Sequence, residues 1–251
     1  MARDLSDFHV GTWVLTLDLL GTSVQMGLNN WVEALNRLLD AISISVREVL
    51  AADTYDLYLV QYGDSVTMCH NELQRIICLG TKVQVTLFRQ NILAQLGLSG
   101  NGAYYFDDTT IHRIVEGMPN FKLHCIAGSG LARSHFVLRG IKGPRFIVDE
   151  EVRHVPANGP CWEKLVTSPN PHGLLKCSEL RWWKDFPDIL RITEDRIRTL
   201  QSELESEKAG IEADTQEEDV IQRVTHSISK QLEHYRSFHQ VLAREQSLMT
   251  S

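Results

Sequence analysis

Two aspartates in this chain sit where a carboxylate needs a reason to be. Asp18 interrupts the apolar run "WVLTLDLLGTSVQ" and is followed closely by Gly21, Thr22 and Ser23. Asp64 lies in "LVQYGDSVTM", beside a glycine at the tip of an alternating apolar and polar stretch. A carboxylate inside a buried strand is costly unless a positive charge or a hydrogen-bond donor meets it. Two carboxylates held close together repel and raise one another's pKa unless cations lie between them. Magnesium suits such a place, because it takes one or two carboxylates and leaves its other positions to water and phosphate oxygens. The pair therefore points to magnesium-dependent phosphoryl or nucleotidyl transfer. Each aspartate alone has a plainer role open to it. Asp18 could cap a helix or brace the Gly-Thr-Ser turn, and Gly-Asp is common at hairpin tips. Taken together, in the order strand, helix, hairpin, they favour the metal.

The elements that must position them can be read from periodicity. "VGTWVLTLDLLG" is rich in Val, Leu, Thr and Trp and ends in Gly, which predicts a strand. Over residues 29–52 the apolar positions Trp31, Leu35, Leu38, Leu39, Ile42, Val46, Val49 and Leu50 recur at helical spacing. "TYDLYLVQY" and "SVTMCH", joined by "GD", predict a hairpin. Residues 71–96 read as a second helix, weakened at its centre by Gly80. Strands follow in "SGNGAYYF", "FKLHCIAG" and "PRFIVDEEV", with a short helix in "GLARSHFVLRG". The alternation predicts one mixed, mostly antiparallel sheet flanked by helices, an α/β (α+β) sandwich. If the first three strands are neighbours, Asp18 and Asp64 point to the same end of that sheet.

The character changes near Ser178. A charged helix in "ITEDRIRTLQSELESEKAG", ending at Gly210, is separated by "IEADTQEED" from a long final helix. This divides the chain into a domain over 1–178 and a C-terminal helical extension over 179–251. The final stripe of Ile221, Val224, Ile228, Leu232, Tyr235, Phe238 and Leu242 fits either a coiled-coil seam or packing on its own domain.

Composition narrows the partners. A formal charge of −7 argues against broad nucleic-acid binding. No apolar run is long enough to cross a bilayer, and "MARDLSDFHVG" lacks the order of a secretory signal. Five scattered cysteines without a C-x-x-C pair predict buried thiols in a reducing cytoplasm and offer no zinc site. "GSG" at Gly128–Gly130 reads as a turn before a helix, Trp182 and Trp183 as core residues, and "DEEVRH" from Asp149 as a solvated strand end.

"LTLDLLGTSV", the helix after it and "LVQYGDSVTM" resemble the core of the class III nucleotide cyclases. "GNGAYYF", "GSGLARSHFVL" and "GPRFIVDEEV" resemble later motifs of that family, so the resemblance covers roughly residues 10–152. It implies a ferredoxin-like core and a homodimer with active sites at the subunit interface. It also implies two metal ions, Mg2+ or Mn2+, held by Asp18 and Asp64 with the Leu19 carbonyl. Gly21, Thr22 and Ser23 would lie along the bound nucleoside triphosphate. The ribose 3′-hydroxyl then attacks the α-phosphorus in line and pyrophosphate leaves.

The departures from the family pattern matter more than the matches. Purine cyclases carry a polar base-reading residue three positions before the hairpin glycine, and here that position is Val60. Tyr58 and Tyr62 share its strand face by two-residue alternation, which suits stacking on a smaller base. The helix that normally carries Asn and, four residues later, Arg has Ala132 and Phe136 instead. Arg133 or Arg139 could take the transition-state role, and nothing in the sequence selects one. In these departures the chain resembles the pyrimidine cyclases of bacterial Pycsar antiphage systems. The resemblance implies a cyclic UMP or cyclic CMP product, with UTP favoured over CTP, acting on a separately encoded effector in antiviral defence. Three alternatives stay open: an adenylate or guanylate cyclase, a degenerate domain that binds nucleotide or a partner without catalysis, and an interaction protein that dimerises through its last helix.

Overall fold

The computed structural model describes residues 9–20, 31–50, 57–107, 124–139, 141–153, 155, 165–168, 177–184, 186–211 and 218–249. β1 (His9–Gly11) and β2 (Trp13–Leu19) precede α1 (Trp31–Val49), and β3 (Tyr58–Tyr62) and β4 (Ser65–His70) form the expected hairpin. α2 (Leu73–Arg89) leads into β5 (Ala94–Ser99). From β2 to β5 the elements run βαββαβ, and the strands lie side by side in the antiparallel order β3-β4-β2-β5. This is the ferredoxin-like arrangement.

β8 (Phe146–Asp149) extends that sheet parallel to β5, and β10 (Cys177–Leu180) and β9 (Leu165–Ser168) complete its seven strands. A separate three-stranded sheet joins β1, β6 (Ala103–Asp107) and β7 (His124–Ala127). The remaining helices are α3 (Ser129–Phe136), α4 (Glu150–Arg153), α5 (Ile189–Ile211) and α6 (Glu218–Met249). No described helix is long and apolar enough to cross a membrane.

Pleating divides β2 between two environments. Leu15, Leu17 and Leu19 face the helix layer, where Leu38 and Ile42 of α1 and Ile76, Ile77 and Val83 of α2 bury them. Each such side chain contributes about 1.5–3 kcal/mol when fully buried. Gly80, which reads as a weak point in the helix, is where α2 meets the sheet most closely. A Cβ there would lie 2.8 Å from Phe146 and 2.9 Å from Leu15. Val14, Thr16 and Asp18 point to the opposite face, towards α3 and the smaller sheet.

The helix expected over 71–96 is shorter than the sequence suggests, and its last residues form the central strand β5. Asn91, at a φ of 59°, ends α2 in a left-handed cap, its N–H bonding Phe88 O at 3.0 Å while Ile92 N–H bonds Leu87 O at 3.0 Å. Every residue of β5 is buried, so the strand shows no clean apolar–polar alternation. The strand expected in "SGNGAYYF" begins only at Ala103, and the described residues of "FKLHCIAG" form β7 over His124–Ala127. β8 stops at Asp149, where the chain turns into α4, and α5 runs past Gly210 to Ile211.

The C-terminal helices pack on their own chain. Leu232, Tyr235, Phe238 and Leu242 of α6 are buried in the same cluster as Phe88 of α2. Trp182 stacks on Phe238, with ring centroids 5.5 Å apart and planes at 8°, and donates its indole N–H to Pro144 O at 2.9 Å. The division expected at Ser178 falls inside β10, and the helices beyond it share the core of the main sheet.

Candidate active site

Register places the two aspartates at one end of the main sheet. Asp18 of β2 pairs with Ser65 of β4 on one side and Gln95 of β5 on the other, and Tyr62 of β3 continues the row beyond Ser65. Gly63 opens the hairpin turn with a φ of 59°, a conformation that favours glycine and fits a type II′ turn. Asp64 follows it immediately and accepts the Leu19 N–H at its own carbonyl, 3.3 Å away. The hairpin therefore brings Asp64 back beside the end of the strand that carries Asp18.

The electrostatics of the pair follow from this placement. Partial burial pushes the Asp18 carboxyl above the usual carboxylate range, and the Asp64 charge pushes it in the same direction. A 2.6 Å hydrogen bond from Ser65 Oγ to Asp18 Oδ1 opposes the rise, and His135 opposes it more weakly. The Ser65 hydroxyl offsets only part of the cost of burying Asp18, whose pKa stays raised. A divalent cation would relieve both the burial cost and the repulsion, and hard oxygen ligands of this kind suit Mg2+ or Mn2+. Among the described residues no third His, Cys, Asp or Glu joins the pair in a metal-binding group. The donor set fits an ion that keeps most of its positions for water and substrate.

The other site residues expected from sequence are divided by the structure. Gly21, Thr22 and Ser23 lie outside the described residues. Tyr58, Val60 and Tyr62 share the Asp18 face, as two-residue alternation requires. Tyr58 and Val60 pack into the apolar cluster of Val14, Cys69, Ala103 and Ile126. The Tyr58 ring lies 5.0 Å from that of Tyr105, and burial drives its phenol pKa upward. Tyr62, at 49% exposure and in the same cross-strand row as Asp18, is the most open of the three.

The two arginines have different surroundings. Arg133 is held on Asp149 by two bonds, Nε to Oδ2 at 2.5 Å and Nη2 to Oδ1 at 2.9 Å, and also pairs with Glu151 at 2.9 Å. Asp149 is 0% exposed, and Ser99 Oγ bonds it at 3.3 Å. The solvated strand end expected at Asp149 is thus a buried carboxylate neutralised by an arginine from a distant helix. Arg139 lies beyond the end of α3 with its guanidinium 5.7 Å from the Phe136 ring; the His135 pKa is lowered chiefly by burial, with Asp18 opposing and Arg139 adding a smaller push in the same direction.

α3 lies directly on the Asp18 face. A buried 2.7 Å hydrogen bond joins Ser134 to Thr16. Gly97 of β5, opposite Thr16, permits this approach, since a Cβ there would overlap the Ser134 carbonyl oxygen. His135 follows Ser134, and periodicity gives no sign of its position, which depends on how the helix crosses the sheet. Ser65, by contrast, could have been found by counting the hairpin register back from Asp64.

No family model and no curated protein matches the chain. Solved structures do. A bacterial light-regulated adenylyl cyclase superposes with a TM-score of 0.52 at 13% identity, over 73% of this chain but 55% of that one. The dimeric guanylyl cyclase domain of a RhoGC fusion protein from the aquatic fungus Blastocladiella emersonii gives a TM-score of 0.50 at 13% identity, over 68% of this chain and 95% of that domain. At such identities the likeness is one of fold, and the fold is that of class III cyclase catalytic domains.

Proposed function

We propose that this protein is a nucleotidyl cyclase, converting a nucleoside triphosphate to its 3′,5′-cyclic monophosphate and pyrophosphate. The observation that carries the reading is the convergence of Asp18 and Asp64 at one sheet end, where burial and, after it, the Asp64 charge raise the Asp18 pKa. Asp18, Asp64 and the Leu19 carbonyl would hold two Mg2+ or Mn2+ ions, which neutralise phosphate charge and promote ionisation of the attacking hydroxyl when bound. The ribose 3′ oxygen forms its bond to the α-phosphorus as the bond to the β-phosphate oxygen breaks, and the hydroxyl proton is lost to solvent. The chain's own contribution is to hold the triphosphate at the sheet end and to keep the carboxylates from collapsing onto other partners. Ser65 performs the second task through its bond to Asp18.

The substrate in this reading is a pyrimidine nucleotide, UTP before CTP. Val60 offers no polar group to a purine edge, whereas Tyr62 offers an exposed ring and hydroxyl on the Asp18 face. The transition-state arginine in this reading is Arg139 or Arg133, the latter bonded to Asp149. Gly21, Thr22 and Ser23 are assigned to the phosphates. The assembly is a homodimer with active sites at the interface, in line with the dimeric fungal domain that shares the fold. The product serves as a second messenger for a separately encoded antiviral effector. The adenylyl and guanylyl cyclases among the similar folds keep a purine substrate as the second reading.

Incubation with each of the four ribonucleoside triphosphates and Mn2+ or Mg2+, with products identified by mass, tests the proposal. Cyclic UMP or cyclic CMP is the expected product. A product from ATP or GTP alone would replace the pyrimidine reading with the purine one.

A further inference from the structure

We infer that His135 is a catalytic residue of this cyclisation, donating a hydrogen bond to the substrate's phosphates opposite the Asp18–Asp64 pair; the inference rests on the cyclase reading above. α3 travels along β2 in the same direction. Gly130 sits beside Val14, where an added Cβ would be 3.0 Å from Val14 Cγ2, and Ser134 one turn later bonds Thr16 at 2.7 Å. The helix therefore advances towards Asp18, two residues beyond Thr16 on the same sheet face, and His135 is the next residue along it.

His135 is exposed there, and no described residue hydrogen-bonds its ring. Asp18 and His135 act on one another electrostatically, which agrees with a place for the imidazole near Asp18. It is nonetheless outside any metal-binding group of three among the described residues. Neighbouring positions on α3 cannot supply the same contact, since Ala132 and Phe136 carry no donor and Arg133 is engaged by Asp149 and Glu151. An imidazole has an N–H to donate in both its neutral and its charged forms, so the role does not depend on its protonation. The contact is of the kind that stabilises charge developing on a transferring phosphoryl group.

The test is steady-state kinetics on the full-length protein and its His135→Ala, His135→Asn and His135→Gln variants, with melting temperature and Mn2+ affinity measured alongside. His135→Ala should lower kcat by about 10²–10³-fold, as loss of one preorganised donor does, with KM, Mn2+ affinity and melting temperature little changed. His135→Asn or His135→Gln, which keep a side-chain N–H, should recover at least about tenfold of the loss. Unchanged kcat in His135→Ala overturns the inference, as does a loss that tracks melting temperature or metal affinity. If His135→Ala does not fold, His135→Leu, which also lacks a donor, decides by the same criteria. An inactive parent protein with all four nucleotides overturns the cyclase reading and this inference with it. An active parent matched by an equally active His135→Ala overturns the inference alone.

Discussion

Ser134 of α3 and Thr16 of β2 share a buried 2.7 Å hydrogen bond two residues before Asp18, and this contact aligns the helix with the carboxylate end of the sheet. Ser134 also bonds Leu131 O at 2.8 Å, which uses its only proton, so Thr16 is the donor between the two hydroxyls. Ser134→Ala therefore strands a buried O–H and should cost about 1–3 kcal/mol, whereas Thr16→Val removes the donor itself and should cost about 1 kcal/mol. Urea denaturation of both variants checks the order. Equal costs would contradict this assignment of the donor.

Asp18→Asn should stabilise the metal-free protein while disabling it. The Asp18 pKa is raised in the fold, chiefly by burial, so stability from this group is present at acid pH and lost as pH rises through the folded value. Near neutrality the wild-type protein carries that cost and the Asn variant does not. The melting temperature of the variant should be higher without metal, and Mn2+ should no longer raise it. Activity should fall at least about 10²-fold, because positioned metal charge is worth several kcal/mol in such transfers.

Tyr62 and Tyr58 should separate into substrate and packing roles. Tyr62 is exposed in the Asp18 row, so Tyr62→Ala should leave the melting temperature unchanged and weaken the nucleotide by about 1–3 kcal/mol, the usual value of one stacked base. Tyr58 packs on Tyr105 within the apolar cluster, so Tyr58→Ala should lower the melting temperature first. Measuring KM for UTP and thermal stability on both variants tests the division.

A histidine far from the site sets an acid limit. His234 of α6 accepts the Gly143 N–H at Nδ1, 3.1 Å away, and burial lowers its pKa with help from Lys142 and Lys230, while Glu233 opposes. The unfolded chain takes up this proton first. Stability from His234 is therefore present above its ordinary pKa of about 6.5 and is lost as pH falls through the folded value. His234→Gln should flatten the stability curve on that acid side, as thermal melts across a pH series would record.

The parts of this fold legible in the sequence are those governed by local periodicity and turn chemistry. β2, α1 and the β3–β4 hairpin follow from alternation, helical spacing and the Gly63 turn, and they alone bring Asp18 and Asp64 together. β5 was hidden because both its faces are buried, and Ile92, Leu93, Leu96 and Leu98 continue a helical pattern almost as well as a strand. Only the Asn91 cap separates the two. Asp149 was misread for a different reason, since its neutralising partner Arg133 comes from another element and no local pattern links them. His135 belongs to the same class, its meaning fixed by how α3 crosses β2. For the last helix, the sequence left two uses of one apolar stripe open, and the aromatic cluster around Phe88 and Trp182 decides for packing within the chain.

The most direct measurement of the central claim is mass-resolved product formation by the wild-type protein and Asp64→Ala, with Mn2+ and with chelator. The two-carboxylate account predicts a 3′,5′-cyclic nucleotide and pyrophosphate in equal amounts from wild type with metal, and neither product from the variant or the chelated enzyme. A cyclic product that survives Asp64→Ala undiminished would contradict it.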